Sequence, residues 1–204
     1  MSPDQYGAND SLTGAGTSRR SLLRAIAAAP AVAAAPWGEA LTPLYESYGD
    51  AAATVVRSRE GRAFSRQRYH VAEGFFPTEQ PQGRLAWQTF LYRSGIAAQL
   101  ALSSHLLDIG FTDEWCARNI GLRVAKSLAY ANATGLGHNC PEMARLALVL
   151  TPYHRWNQVR PSGQSEPDDG GFTPAQVRVC LRALLDRVHD VTGHPRPRGW
   201  ERRL

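Results

Sequence analysis

The sequence predicts an all-α protein, a compact bundle of about five helices around a buried central helix, and three observations carry that prediction. No segment sustains strict apolar–polar alternation between turn signals, as a half-buried strand would. Residues 85–109, LAWQTFLYRSGIAAQLALSSHLLDI, hold no charge between Arg93 and Asp108 and place apolar side chains on nearly every side of a helical wheel. Near the other end, Val177, Cys180, Leu181, Leu184, Leu185, Val188 and Val191 recur at helical spacing, the clearest stripe in the chain.

A helix apolar on most sides is either a membrane span or the centre of a globular core. Here Ser94, Gly95, Gln99, Ser103, Ser104 and His105 interrupt the run, whereas a span needs roughly 20 mostly apolar residues. The stretch therefore reads as a core helix, and no transmembrane span is expected in the mature protein.

The 204 residues suffice for one domain with an extension, and 43% hydrophobic content is ordinary for a globular chain. Lys126 is the only lysine, so arginine supplies nearly all of the positive charge behind the net +5. Arginine suits carboxylates and phosphates, which leaves an anionic partner open. A coding bias toward arginine is the plainer explanation. Cys116, Cys140 and Cys180 are widely spaced with no C-x-x-C. Three cysteines make no disulfide framework. In an oxidising compartment one pair and one free thiol are allowed, and the spacing does not say which two meet.

The chain divides into residues 1–40, a disordered N-terminal extension, 41–194, a single helical domain, and 195–204, a basic tail. Residues 1–17 are polar and rich in Gly, Ser, Asp and Asn, a composition that cannot bury a core. Next come Ser18, Arg19, Arg20, Ser21, Leu22, Leu23 and Arg24, then AIAAAPAVAAAPW. This segment resembles the signal of twin-arginine export substrates. In that pattern Ser18 precedes the arginine pair Arg19 and Arg20, Leu22 is the large apolar residue, Leu23 follows it, and Arg24 is the basic residue. The resemblance implies a weakly hydrophobic run from Ala25, cleavage after Ala33 or Ala40, and a periplasmic or secreted mature protein that meets the twin-arginine machinery already folded. It covers only these forty or so residues. Bound cofactors are common in such substrates, but nothing in the sequence identifies one. The alternative is a cytoplasmic protein with an Ala-rich arm.

Within the mature part, Thr42 and Pro43 suit the N-cap and first position of a helix. Leu44, Tyr48, Ala52, Val55 and Val56 follow on one face, and Gly61 is a plausible stop. Arg57, Arg59, Arg62, Arg66 and Arg68 form a basic stretch with Phe64, Tyr69 and His70 interleaved. Such a mixture can track a nucleic-acid backbone and stack bases; a solvated face or loop is the plainer reading. Residues 74–83 form a connecting loop. After the central helix, Gly110 suits a helix end and Thr112 a new N-cap. The next helix is expected over 113–134, with Cys116, Ile120, Val124, Leu128 and Ala131 buried and Arg118, Arg123 and Lys126 mostly elsewhere.

The run Leu106, Leu107, Asp108, Ile109, Gly110, Phe111, Thr112, Asp113 resembles the turn before the recognition helix in DNA-binding regulators of the AraC type. The likeness spans about a dozen residues. Trp115, Cys116 and Arg118 miss that family's positions, and Asp113 and Glu114 would repel phosphates. A plain helical hairpin is preferred.

The most chemically suggestive stretch is Gly135-Leu136-Gly137-His138-Asn139-Cys140-Pro141-Glu142. Pro141 suits the first position of a helix carrying Met143, Leu146, Ala147, Val149 and Leu150, which makes Cys140 its N-cap. There the helix dipole and His138 would favour a thiolate able to act as nucleophile or ligand. Catalysis needs a base and an orienting group as well, and spacing assigns none. A metal would require His154 or Cys116 to converge on the same point. A turn with a partly buried cysteine is the plainer reading.

Thr151-Pro152 ends that helix, Tyr153 and Trp156 are expected to fold back on the core, and a polar loop runs to Gly171. Thr173, Pro174 and Gln176 form a capping box opening the last helix, over 174–192. That helix carries Arg178, Arg182, Asp186, Arg187 and Asp190 opposite its apolar stripe; Gly193 and Pro195 end it. The central helix is expected to pack against the helices at 113–134 and 174–192.

No Walker loop, dinucleotide fingerprint, H-E-x-x-H or G-x-S-x-G is present. Three functions remain: an exported small helical protein acting by binding or a structural role, a cytosolic nucleic-acid-associated protein, and a thiol or metal enzyme centred on Cys140 and His138. They rank in that order. The sequence fixes neither a cofactor nor an oligomeric state.

Overall fold

The computed structural model describes residues 37–158 and 167–197. The twin-arginine-like motif (Ser18 to Arg24) lies outside them, as do 198–204 of the basic tail. Every regular element among the described residues is helical: α1 (Gly38–Tyr48), α2 (Arg59–Phe75), α3 (Arg84–Ile109), α4 (Val124–Ala133), α5 (Pro141–Val149) and α6 (Pro174–Thr192), with short helical turns between them. Among these residues no helix is long and apolar enough to cross a membrane.

The central helix α3 is where the sequence puts it. Its residues 101–108 are all buried, and Phe90, Leu91, Leu102 and Leu106 join the main core. It packs against α4 and α6 as expected, but its most extensive neighbour is α2, which the sequence reading treated as a loop or solvated face. Ser58 caps α2 by accepting from the Gly61 amide at 2.9 Å, so Gly61 opens a helix rather than ending one. The buried residues of α2 are Ser65, Tyr69, Ala72 and Glu73, a face with no aliphatic stripe to betray it.

Two small residues let α2 and α3 approach. Ser65 Oγ donates to the Ser104 carbonyl at 2.6 Å, and Ser104 Oγ donates to the Ser65 carbonyl at 2.8 Å. This reciprocal pair satisfies both hydroxyl protons at the point of contact.

The first helix begins one turn earlier than Thr42-Pro43 predicts. Thr42 donates its hydroxyl back to the Gly38 carbonyl instead of capping, and Pro43 sits inside the helix, where it forgoes one backbone bond. Gly49, in the left-handed region, ends α1. Residues 51–57 then run without regular structure across the end of α3, where the Val56 amide donates to the Gly110 carbonyl at 3.1 Å. Gly110 has φ 120°, and a Cβ there would lie 2.5 Å from the Val56 carbonyl carbon. Both the backbone angle and the crossing strap require glycine.

The helix expected over 113–134 is broken. Thr112 caps Asp113–Trp115 as anticipated, a π-helix follows over Cys116–Ile120, and the chain re-enters α-helix only at Val124. Gly121, with φ 60° and ψ −132°, makes the break in a conformation that side chains disfavour. Cys116, Ile120, Val124, Leu128 and Ala131 are nevertheless all buried, because the break preserves which side of the segment faces the core.

At the far end, Trp156 is buried and Tyr153 packs on Gly95 of α3, as expected of residues that fold back. Thr173 and Gln176 form the capping box of α6, and Gly193 ends it in the left-handed region. The first residues of the tail are held rather than loose. His70 Nε2 meets the Pro195 carbonyl at 2.9 Å, and Arg196 pairs with Asp186 at 2.6 Å.

Candidate functional site

Three buried polar clusters and several surface grooves compete for attention; of the grooves, the one between α5 and α6 has the most apolar lining. The first cluster joins Ser65, His194 and Asp108. His194 Nε2 lies 2.6 Å from Ser65 Oγ and 3.9 Å from Asp108 Oδ1. Although the residue types are those of a hydrolytic triad, the wiring is not. In a triad the carboxylate holds the ring nitrogen remote from serine; here both partners crowd the same nitrogen. The hydroxyl proton of Ser65 is committed to the Ser104 carbonyl, so Nε2 must be the donor, and Nδ1 is a bare acceptor without a partner. Burial holds the His194 pKa below its ordinary value, consistent with a neutral ring. Ser65 and His194 are wholly buried and Asp108 nearly so. This is a brace between α2, α3 and the chain end.

Asp108 also explains the basic stretch. Arg62 reaches its Oδ1 at 2.9 Å, and Arg57 reaches Oδ2 at 3.5 Å and the backbone carbonyl at 3.1 Å. Arg68 pairs with Asp113 at 2.8 Å. Three of the five arginines are thus engaged with acids of the same fold.

In the second cluster Arg182 forks onto Glu73 with two bonds of 3.0 Å, while Tyr69 donates to the same carboxylate at 2.9 Å. Arg182, expected opposite the apolar stripe of α6, is 12% exposed and turned inward, and its contact with Asp186 is 3.7 Å. The third cluster buries Lys126, expected to lie mostly away from the stripe, against Asp50. All three are closed off by burial: Ser65, Asp108, Glu73, Lys126 and His194 are buried, and the Asp50 side chain is 6% exposed.

The groove between α5 and α6 is different. About 380 Å³ in volume and open to solvent, it is lined by Phe172, Ala175, Val179, Cys180 and Ala183 together with Cys140, Glu142, Arg145 and Gln176. Cys140 caps α5 ahead of Pro141, as the sequence predicts. Its thiol donates to Glu142 Oε2 at 3.4 Å. The Glu142 carboxyl titrates below its ordinary value because its own amide and then the thiol stabilise its charge.

His138 lies in the loop ahead of α5. Its amide is tied to Asn132 Oδ1 at 2.9 Å, and its ring Nε2 is buried with no hydrogen-bond partner. Burial first, and then the Arg187 guanidinium, lower its pKa. A neutral ring supplies no positive charge to a neighbouring thiolate.

Cys180, which the sequence placed on the apolar stripe of α6, lines the same groove as Cys140. Burial raises its pKa, and Cys140 and Glu142 are the next causes. Cys116 lies in the π-helix, where burial pushes its thiol up to about 12. No three His, Cys, Asp or Glu side chains gather to hold a metal among the described residues. The convergence of two thiols was hidden in the sequence, since forty residues separate them and only the packing of α5 on α6 joins them.

No protein-family model matches the chain, and neither a curated protein nor a solved structure does so.

Proposed function

We propose that this is a small helical binding protein, exported through the twin-arginine machinery, whose groove between α5 and α6 takes a small apolar molecule. The observation carrying the binding reading is the contrast between that groove and the rest of the fold. The polar clusters are closed off by burial, whereas the groove is lined by apolar side chains and leaves Val179 69% exposed. Binding pockets are typically apolar with a few polar groups that fix orientation. Glu142, Arg145 and Gln176 supply those groups, so the ligand class is an apolar body with one hydrogen-bonding end.

Export rests on Ser18, Arg19, Arg20, Leu22, Leu23 and Arg24. It is tested by intact mass of the protein recovered from periplasmic and cytoplasmic fractions of a bacterium with a twin-arginine pathway. A periplasmic species beginning at Ala34 or Leu41 supports export, and a full-length cytoplasmic species refutes it. The groove is tested by titrating an environment-sensitive anilinonaphthalene dye into the purified chain. Saturable fluorescence is expected, and Val179→Asp or Ala183→Arg should abolish it while leaving cooperative unfolding intact. A flat titration of the native chain rejects the groove as a binding site.

The nucleic-acid reading is weakened by the engagement of Arg57, Arg62 and Arg68 with Asp108 and Asp113. It predicts binding that falls steeply with salt. The thiol-enzyme reading rests on Cys140, whose thiol donates to Glu142, with His138 in the loop before it.

A further inference from the structure

We infer that Cys140 and Cys180 are a redox pair that closes into a disulfide across the groove, with Cys140 as the entry thiol and Cys180 as the resolving thiol. The inference goes beyond the binding reading and does not depend on it, because a sulfur–sulfur bond is read by mass whatever the groove holds.

Of the three pairings that the sequence leaves open, the structure places one on a single cavity. Cys140 and Cys180 line a single cavity, at the N-terminus of α5 and on the second turn of α6, and these helices pack on each other. Cys116 belongs to a different part of the core, near Asp113 and Arg68, and lines no wall of this groove. A disulfide needs its two α-carbons within about 7 Å, which only neighbouring elements provide.

The two thiols also differ in the way an exchange reaction requires. Cys140 is half-buried and sits at a helix N-terminus, while Cys180 is 6% exposed. Access selects the thiol that attacks first. A disulfide-bearing oxidant, either a small disulfide or an oxidoreductase, therefore meets Cys140. The Cys140 thiolate attacks one sulfur of the oxidant, forming a mixed disulfide and expelling the first thiolate. Cys180, deprotonated as it reacts, attacks the Cys140 sulfur, forms the internal bond and expels the second thiolate. Two electrons pass from the cysteine pair to the oxidant, and the two thiol protons end on the expelled thiolates.

The test treats the folded, full-length chain with oxidised glutathione, blocks remaining thiols with an alkylating reagent, and reads intact mass and non-reduced peptides. The expected product has lost two hydrogens, yields one linked peptide pair containing Cys140 and Cys180, and regains both thiols on reduction. Cys180→Ser should instead accumulate glutathione on Cys140, and Cys140→Ser should remain unmodified. A native chain that stops at the glutathione adduct, links through Cys116, or forms covalent dimers overturns the pairing. Glutathione on Cys180 of the Cys140→Ser chain overturns the assigned order of attack.

Discussion

Lys126 Nζ lies 2.6 Å from Asp50 Oδ2, with the two side chains only 3% and 6% exposed. The ammonium also donates to the Asn119 carbonyl at 2.7 Å and stands 4.6 Å from the centre of the Tyr48 ring. Tyr130 donates its hydroxyl to Asp50 Oδ2 at 2.6 Å. The chain's single lysine thus pins the loop after α1 to α4. Removing one member strands the other charge in a dry site, so Lys126→Met is expected to cost about 3–5 kcal/mol. Asp50→Ala should cost a similar amount, and the double variant less than the sum, because it strands no charge. Urea unfolding of the four chains closes the cycle. Additive losses would show that the pair is not coupled. A second readout is amine acylation of the folded protein, which should modify Lys126 far more slowly than the α-amino group.

Gly95 of α3 faces Tyr153, and a Cβ on it would come 2.1 Å from the tyrosine Cβ. The obstacle is the root of a side chain, so a change of rotamer cannot relieve it. Helix propensity alone favours alanine over glycine by about 1 kcal/mol. Overpacking works against it by about 1–3 kcal/mol. Gly95→Ala should therefore destabilise, contrary to propensity, and shift Tyr153 away from α3. Chemical denaturation gives the sign directly; a more stable variant would mean that Tyr153–Asn157 yields freely.

What the sequence disclosed follows from how each element is stabilised. The central helix was legible because it is apolar on nearly every side, and α6 because its apolar stripe is periodic and Thr173, Pro174 and Gln176 mark its start. The position of Cys140 just before α5 was legible from Pro141 alone. Helix α2 was not, because it buries Ser65 and Glu73 beside Tyr69 and Ala72. Its attachment is hydrogen-bonded and ionic, and such partners are fixed only by tertiary packing. Likewise the break at Gly121 leaves the stripe of buried residues unchanged, so periodicity reads straight through it. The pairing of Cys140 with Cys180 is tertiary for the same reason as the pairing of Glu73 with Arg182.

That second pair gives a prediction about geometry as well as charge. Arg182 delivers two parallel bonds of 3.0 Å to a carboxylate with no exposed side-chain surface, and its guanidinium covers the Phe76 ring at 4.4 Å. Lysine carries the same charge without the planar fork. Arg182→Lys should lose part of the stability, and Arg182→Met about 3–5 kcal/mol. Equal stability of the lysine variant and the native chain, measured by thermal unfolding, would show that the fork is dispensable.

His105 sets an acid limit on the fold. It is buried in α3, with Nε2 3.2 Å from the Thr134 carbonyl. Burial, only partly opposed by that bond and by Asp108, lowers its pKa from 6.5 to about 4. The unfolded chain therefore binds a proton that the folded chain refuses. Stability from this residue is fully present above pH 6.5, declines as pH falls from 6.5 toward 4, and is gone below that. The displacement corresponds to about 3 kcal/mol. His138 and His194 are lowered in the same direction and steepen the same slope. Carboxylates add their own acid sensitivity mainly below pH 5, so the interval from 6.5 to 5 isolates the histidines. Unfolding free energies measured across that interval should fall for the native chain and fall less for His105→Gln. Identical slopes would assign the acid limit to the other two rings.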